Sequence, residues 1–188
     1  VKSTQKITRA MEMIAASRIL KAQRRVLAAR PYAEQIRDVI AGLAVDNEVQ
    51  QHPLLRVREA EDVAVVVCTS DRGLAGAYNA NVLKVAERTI RDEEAAGRNV
   101  HLYVVGRKGA AYFAYRGRRA ERSWDGISDT PSIDGASGVA EAVMSRFSSG
   151  EFDRVWLVYT DFKSSLVQAP VRMELLPVKP AEFEGGTA

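Results

Sequence analysis

The stretch TSDRGLAGAYN, residues 69 to 79, places Ser70, Asp71, Arg72, Gly73 and Gly76 directly after a short apolar run. In an α/β protein that position commonly carries chemistry, and three kinds are conceivable. The first is phosphate binding, but a dinucleotide fingerprint needs G-x-G-x-x-G and a P-loop needs G-x-x-x-x-G-K-[ST]; neither is present. An aspartate ahead of the glycines would also repel a phosphate. The second is nucleophilic catalysis by Ser70 with Asp71 and a distant His101, yet no G-x-S-x-G elbow surrounds the serine. The third is recognition: an arginine at the tip of a rigid turn offers a planar fork to a carboxylate on another chain. That reading accounts for Arg72, while Ser70, Asp71 and the glycines serve the turn. A second glycine segment, Gly106-Arg107-Lys108-Gly109, is read as a basic turn opening a helix, a place where an anion settles at most transiently. Cys68 has no partner cysteine and is expected in the core, and His52 and His101 have no ligand-like spacing. No metal, cofactor or catalytic residue is expected.

Alternation of strand and helix patterns positions these residues. Strands are predicted at Val63–Thr69, Val100–Val105, Arg119–Trp124 and Arg154–Thr160, with helices at Asn79–Ala96, Lys108–Tyr115 and Ile133–Ser148. An antiparallel edge strand is predicted at Val171–Val178, entered after Pro170. The body is therefore an α/β fold with a Rossmann-like, mostly parallel sheet over residues 63–188. Residues 45–62 read as a linker, and the tail from Glu182 to Ala188 reads as a loop where a domain end would be expected. The longest unbroken apolar run, Val63 to Cys68, is far short of the roughly 20 residues a membrane helix needs. No apolar signal segment opens the chain, so residence inside the cell is expected.

Residues 1–44 are different. Before Gly42 they hold no glycine and one proline, Pro31, where a bend is expected. Ala15, Ile19, Ala22, Val26, Ala29, Ala33, Ile36, Ile40 and Leu43 step alternately by four and three, which is a heptad seam. Ile7, Met11 and Ile14 continue it upstream in a shifted phase, which predicts an irregular coil. At 1.5 Å per residue such a helix runs about 60 Å, longer than a body of this size is wide, so part of it projects. Its alanines let a second helix approach closely. Residues 1–30 carry eight cations against one acid, Glu12, a balance of +7, which leaves −4 for the rest of a chain whose total is +3. The arm should seek an anionic partner.

VKSTQKITRAMEMIAASRILKAQ followed by SDRGLAGAYNANVLK, with ARPYAEQIRDVIAGL and LVYTDF, resembles the γ subunit family of F-type ATP synthases. The likeness covers nearly the whole chain, except that the family's second long helix has no counterpart here, so the sequence resembles an internal fragment. The resemblance implies an N-terminal coiled-coil helix of a rotor, paired with that second helix inside a ring of α and β subunits. The body would sit on the c-subunit ring beside ε, peripheral to the cell membrane on its cytoplasmic side. It further implies a non-catalytic subunit that couples proton flow to the cycling of β, with Lys6, Arg9, Met11 and Arg72 facing acidic loops of β. Arg9 stands where lysine is common and Ala75 where many relatives have cysteine. Two other readings differ in class. A Rossmann-type nucleotide-binding enzyme with a helical oligomerisation arm would show nucleotide-dependent quenching of Trp124 or Trp156. A nucleic-acid binder would leave the alanine seam without a purpose, and the arm has no aromatic residue before Tyr32.

Overall fold

The computed structural model describes residues 2–43, 52–164 and 166–179. They divide into an arm and a body. The arm is one helix, α1 (Lys2–Leu43), assigned without interruption through Pro31. Its seam residues from Ala15 to Ile36 are all exposed, as are Ile7, Met11 and Ile14. The side chains of Ile40 and Leu43, the residues 44–51 and the tail from Pro180 lie outside the described set.

An isolated helix whose apolar face is in water keeps only local hydrogen bonds and propensity, and most helical stability in proteins comes from packing. In the isolated monomeric chain, amide exchange is therefore expected to be markedly faster along α1 than in the strands of the body. Equal protection in arm and body would overturn this.

The body alternates β1 (Asp62–Cys68), α2 (Tyr78–Ala95), β2 (Asn99–Val105), α3 (Arg107–Tyr115), β3 (Arg122–Trp124), α4 (Ile133–Ser149), β4 (Arg154–Phe162) and β5 (Gln168–Leu176). The sheet order is β3-β2-β1-β4-β5; the first four strands are parallel and β5 is antiparallel to β4. The predicted elements are all present, with ends shifted by one or two residues except at β3 and β5. β3 is only three residues long, and the chain enters it through the Glu121 amide, which donates to the Leu102 carbonyl at 2.8 Å. β5 begins before Pro170, not after it; as an edge strand it tolerates a residue that lacks a donor.

β1 explains the architecture. Val63, Ala64, Val65, Val66 and Val67 are all buried, because this central parallel strand is covered on both faces. Val63, Val65 and Val67 meet Val82, Leu83, Ala86 and Ile90 of α2 and Phe113 of α3. Ala64 and Val66 face the other way, toward Val143 and Phe147 of α4 and toward Phe152. Each buried valine contributes about 1.5 kcal/mol or more of transfer free energy. The winding places α2 and α3 on one face as the chain moves outward to β3. The connection through α4 then runs back to the opposite side of β1, and a right-handed crossover in that direction puts α4 on the other face.

The stretch predicted as a linker joins the body earlier than expected. Pro53–Leu55 forms a short 3-10 turn; Leu54 packs on the α4-side core and its carbonyl accepts from the Val178 amide at 2.8 Å. Arg58 donates to the Phe147 and Phe152 carbonyls at 2.9 and 3.1 Å. An apolar residue and a long cation in sequence gave no periodic signal for this docking.

Candidate functional site

The doubly wound sheet leaves a crevice at the carboxyl ends of its strands, where the connections from β1 diverge, and open α/β folds bind ligands there. In this chain the loop 69–77 occupies that region. Thr69 is buried and ties the loop to the next connection: its amide donates to the Val105 carbonyl at 2.7 Å, and its hydroxyl accepts from the Gly109 amide at 2.9 Å while contacting the Val105 carbonyl at the same distance. A Cβ at Gly106 would lie 2.3 Å from the Thr69 carbonyl oxygen and one at Gly109 2.7 Å from its hydroxyl, so the close approach needs glycine at both.

Asp71 fills the position a bound anion would take. Its side chain is 0% exposed, and Oδ1 accepts from the Arg107 amide at the start of α3 at 3.1 Å. Oδ2 accepts from the Ser128 amide at 3.2 Å and from its hydroxyl at 2.6 Å, and that hydroxyl in turn accepts from the Asp71 amide. Burial pushes the carboxyl up, but the hydrogen bonds from Ser128 and from the backbone of Arg107, Gly126 and Ser128 outweigh it and hold it below the ordinary aspartate range. The helix N-terminus thus receives its negative charge from the chain itself.

Ser70 belongs to the same turn. Its hydroxyl donates to the Arg72 carbonyl at 2.6 Å, and its amide donates to Oδ1 of Asn79 at 3.0 Å. His101 pairs in register with Ala64, six residues upstream of Ser70 along β1 and so ~20 Å away at about 3.3 Å per residue. The serine, aspartate and histidine therefore do not form a triad. Cys68 is partly buried at the end of β1, and burial pushes its thiol up to about 11, which leaves it protonated and inert at neutral pH. Among the described residues no group of His, Cys, Asp and Glu is arranged to hold a metal ion.

Arg72 points outward and is 66% exposed, with Nε 2.8 Å from Oδ2 of Asp129. The expectation from sequence was a carboxylate on another chain; the described structure supplies one within the chain. Beyond it Leu74 is fully exposed (107%) at φ +60, and Gly76 adopts φ +54. Lys6, Arg9 and Met11 stand exposed within two turns of α1, in the arm, whereas Arg72 belongs to the body. Sequence reasoning missed Ser128 and Asp129. The only available signal was the cluster of turn formers Asp125, Gly126, Ser128 and Asp129 after β3.

The two loop glycines differ from those at α3. A Cβ at Gly73 would meet only the end of the Lys108 side chain, at 3.6 Å, and one at Gly76 would meet nothing within 4 Å. Gly73→Val is therefore expected to change stability by less than about 0.5 kcal/mol, and Gly76→Val to cost about 1–2 kcal/mol from its positive φ alone. Urea unfolding of both variants checks this.

A family model described as ATP synthase matches residues 1–187. The chain belongs to the ATP synthase family. It is 45% identical to the ATP synthase gamma chain of Nocardioides sp., a match covering 98% of this chain and 63% of that protein. The gamma chain of Acidothermus cellulolyticus is 46% identical, over 97% of this chain and 62% of its own length. The chain thus spans a little under two thirds of the curated relatives it matches. Among solved structures, the central stalk and c ring of the Tetrahymena thermophila mitochondrial ATP synthase aligns with a TM-score of 0.71 at 24% identity, covering 91% of this chain and 72% of the matched one. That likeness agrees with the long helix and doubly wound sheet found here.

Proposed function

We propose that this chain is the rotor portion of the γ subunit of an F-type ATP synthase, a non-catalytic part that couples proton flow through the c ring to the conformational cycling of the β subunits. The relatives carry the gamma-chain name, and the observation that supports the role best is α1: a long helix with its apolar seam exposed and with cations around it. A seam of alanine and β-branched residues suits a second helix, and the cations suit acidic loops of a surrounding ring. The α and β subunits, ε and the c ring are the proposed partners, and the location is peripheral on the cytoplasmic side of the cell membrane. Among the described residues no helix is long and apolar enough to cross a membrane. The nucleotide-binding alternative is not favoured, since Asp71 takes the place of the phosphate.

Lys6, Arg9, Met11 and Arg72 are the proposed rotor contacts. Coulomb attraction across a moving gap tolerates sliding, whereas interlocked apolar contacts would stall it. In the assembled complex, Arg72→Glu is expected to reduce ATP-driven proton pumping several-fold while changing the stability of the body by about 0.5 kcal/mol or less. Asp129→Asn separates the two partners of Arg72. If the arginine serves only its intrachain pair, both variants pump alike; if it meets a β carboxylate, only Arg72→Glu falls, and reversing that carboxylate restores pumping. Normal pumping by Arg72→Glu would overturn the contact.

A further inference from the structure

At the opposite end of the sheet from the loop 69–77, the body holds a second polar cluster. We propose that His101 is a proton-operated clasp: as an imidazolium it donates from both ring nitrogens and ties the start of β1 to the segment entering β3, and its deprotonation opens the clasp.

Both ring nitrogens face carboxylate oxygens, an arrangement that two donors on a charged ring satisfy. Nε2 lies 2.9 Å from Oδ1 of Asp62, and Nδ1 contacts Oε1 of Glu121. A neutral imidazole has one donor, so one of the two contacts would set a lone pair against a carboxylate. Both carboxylates are carried on anchored backbone, and that of Glu121 is also held through its side chain. Asp62 is held by the pairing of β1 with β2 and by its amide, which donates to Oδ2 of Asp153 at 3.0 Å. Glu121 is anchored through its amide to the Leu102 carbonyl, and its Oε2 accepts from the Tyr103 hydroxyl at 3.1 Å and from Nη1 of Arg146.

The charges around the ring come from every element packed there. Asp62 opens β1, Tyr103 shares β2 with His101, and Glu121 precedes β3. Arg146 comes from α4 and is itself paired with Glu151 at 2.8 Å, while Asp153 is turned to the backbone of Glu61 and Asp62. Arg58 is engaged by the carbonyls of Phe147 and Phe152 and by the Phe147 ring. Asp62 and Glu121 face a single guanidinium, Arg146, which Glu151 shares, so a charged His101 offsets the excess of negative charge around it. The ring is 23% exposed and lies 5.0 Å from that of Phe152, over which the Arg146 guanidinium sits at 4.4 Å, so the cluster is close enough to water to exchange its proton and dry enough to feel its loss.

Burial alone would push His101 down, but its hydrogen bonds to Asp62 and Glu121 and the charges of both carboxylates outweigh it and hold the ring above the ordinary histidine value. A raised folded value means that the native state binds the proton more tightly. The stabilisation is complete below roughly pH 6.5, the unfolded value, and is lost as pH rises through the folded value.

The chain has two histidines, so the ring carbon–proton signals of the full 188-residue chain can be assigned with His52→Gln and His101→Gln. The His101 signal is expected to titrate with a midpoint above about 6.5, and each unit of elevation corresponds to a tenfold change in the folding equilibrium between the acid and alkaline limits. Urea unfolding at pH 6 and pH 9 should show that fold-change in the wild-type chain and not in His101→Gln. A midpoint at or below 6.5, or equal pH dependence in the two proteins, would overturn the clasp. If His101→Gln does not fold, the wild-type titration, assigned through His52→Gln, decides alone.

Discussion

Gly106→Ala is expected to lower the stability of the body by about 4 kcal/mol or more, enough to unfold a large fraction of a marginal domain. Gly106 precedes α3 at φ +97 and ψ 135, a conformation that costs an L-residue about 1–3 kcal/mol. The added Cβ would also lie 2.3 Å from the Thr69 carbonyl oxygen and 2.7 Å from its carbon. Both are backbone atoms, and the surroundings cannot yield: the Thr69 amide is bonded to Val105 and the Gly106 amide donates to the Trp124 carbonyl at 2.7 Å. Gly117 supplies the control, because it has φ +74 with nothing within 4 Å of its Cβ position. Urea unfolding of Gly117→Ala should show the backbone strain alone, about 1–2 kcal/mol. If the two variants are equally stable, the close approach of the loop to α3 is wrong.

Asp71→Asn should cost about 2–3 kcal/mol, the next largest effect. The carboxylate accepts from two backbone amides and a hydroxyl, and an amide side chain would turn a donor toward at least one of them. The sign of the pH dependence follows from the depressed folded value. The wild-type advantage is present above the ordinary aspartate value and is lost as pH falls through the folded one. Thermal unfolding at pH 7 and in progressively stronger acid should therefore show the two proteins converging at low pH. A constant difference across the range would mean that packing, not charge, makes Asp71 matter.

Much of this was legible from local pattern. The valine run of β1, the apolar faces of α2 and α4 and the heptads of α1 are periodic signals, and periodicity survives without tertiary knowledge. Asp71 and Arg72 were visible as turn residues, but their partners were not: Ser128 and Asp129 lie 57 residues further on, and only the folded connection after β3 brings them near. His101 stood out in the sequence only by its lack of ligand-like spacing. Its neighbours Asp62, Glu121 and Arg146 are assembled by strand register and by the return of α4, neither of which has a local signature. The early docking of Leu54 and Arg58 was hidden in the same way.

The central position of β1 has a mechanical meaning. It is the first strand of the body, reached from the arm side of the chain, and it is flanked by parallel β2 from Asp62↔Asn99 to Cys68↔Val105 and by parallel β4 from Val63↔Arg154 to Val67↔Val158. A pull on Asp62 along the strand axis would load both ladders in shear, so that many hydrogen bonds must fail together; an edge strand peeled sideways would lose them one at a time. A body tethered through its innermost strand resists tension along that line far better than one tethered through β3 or β5.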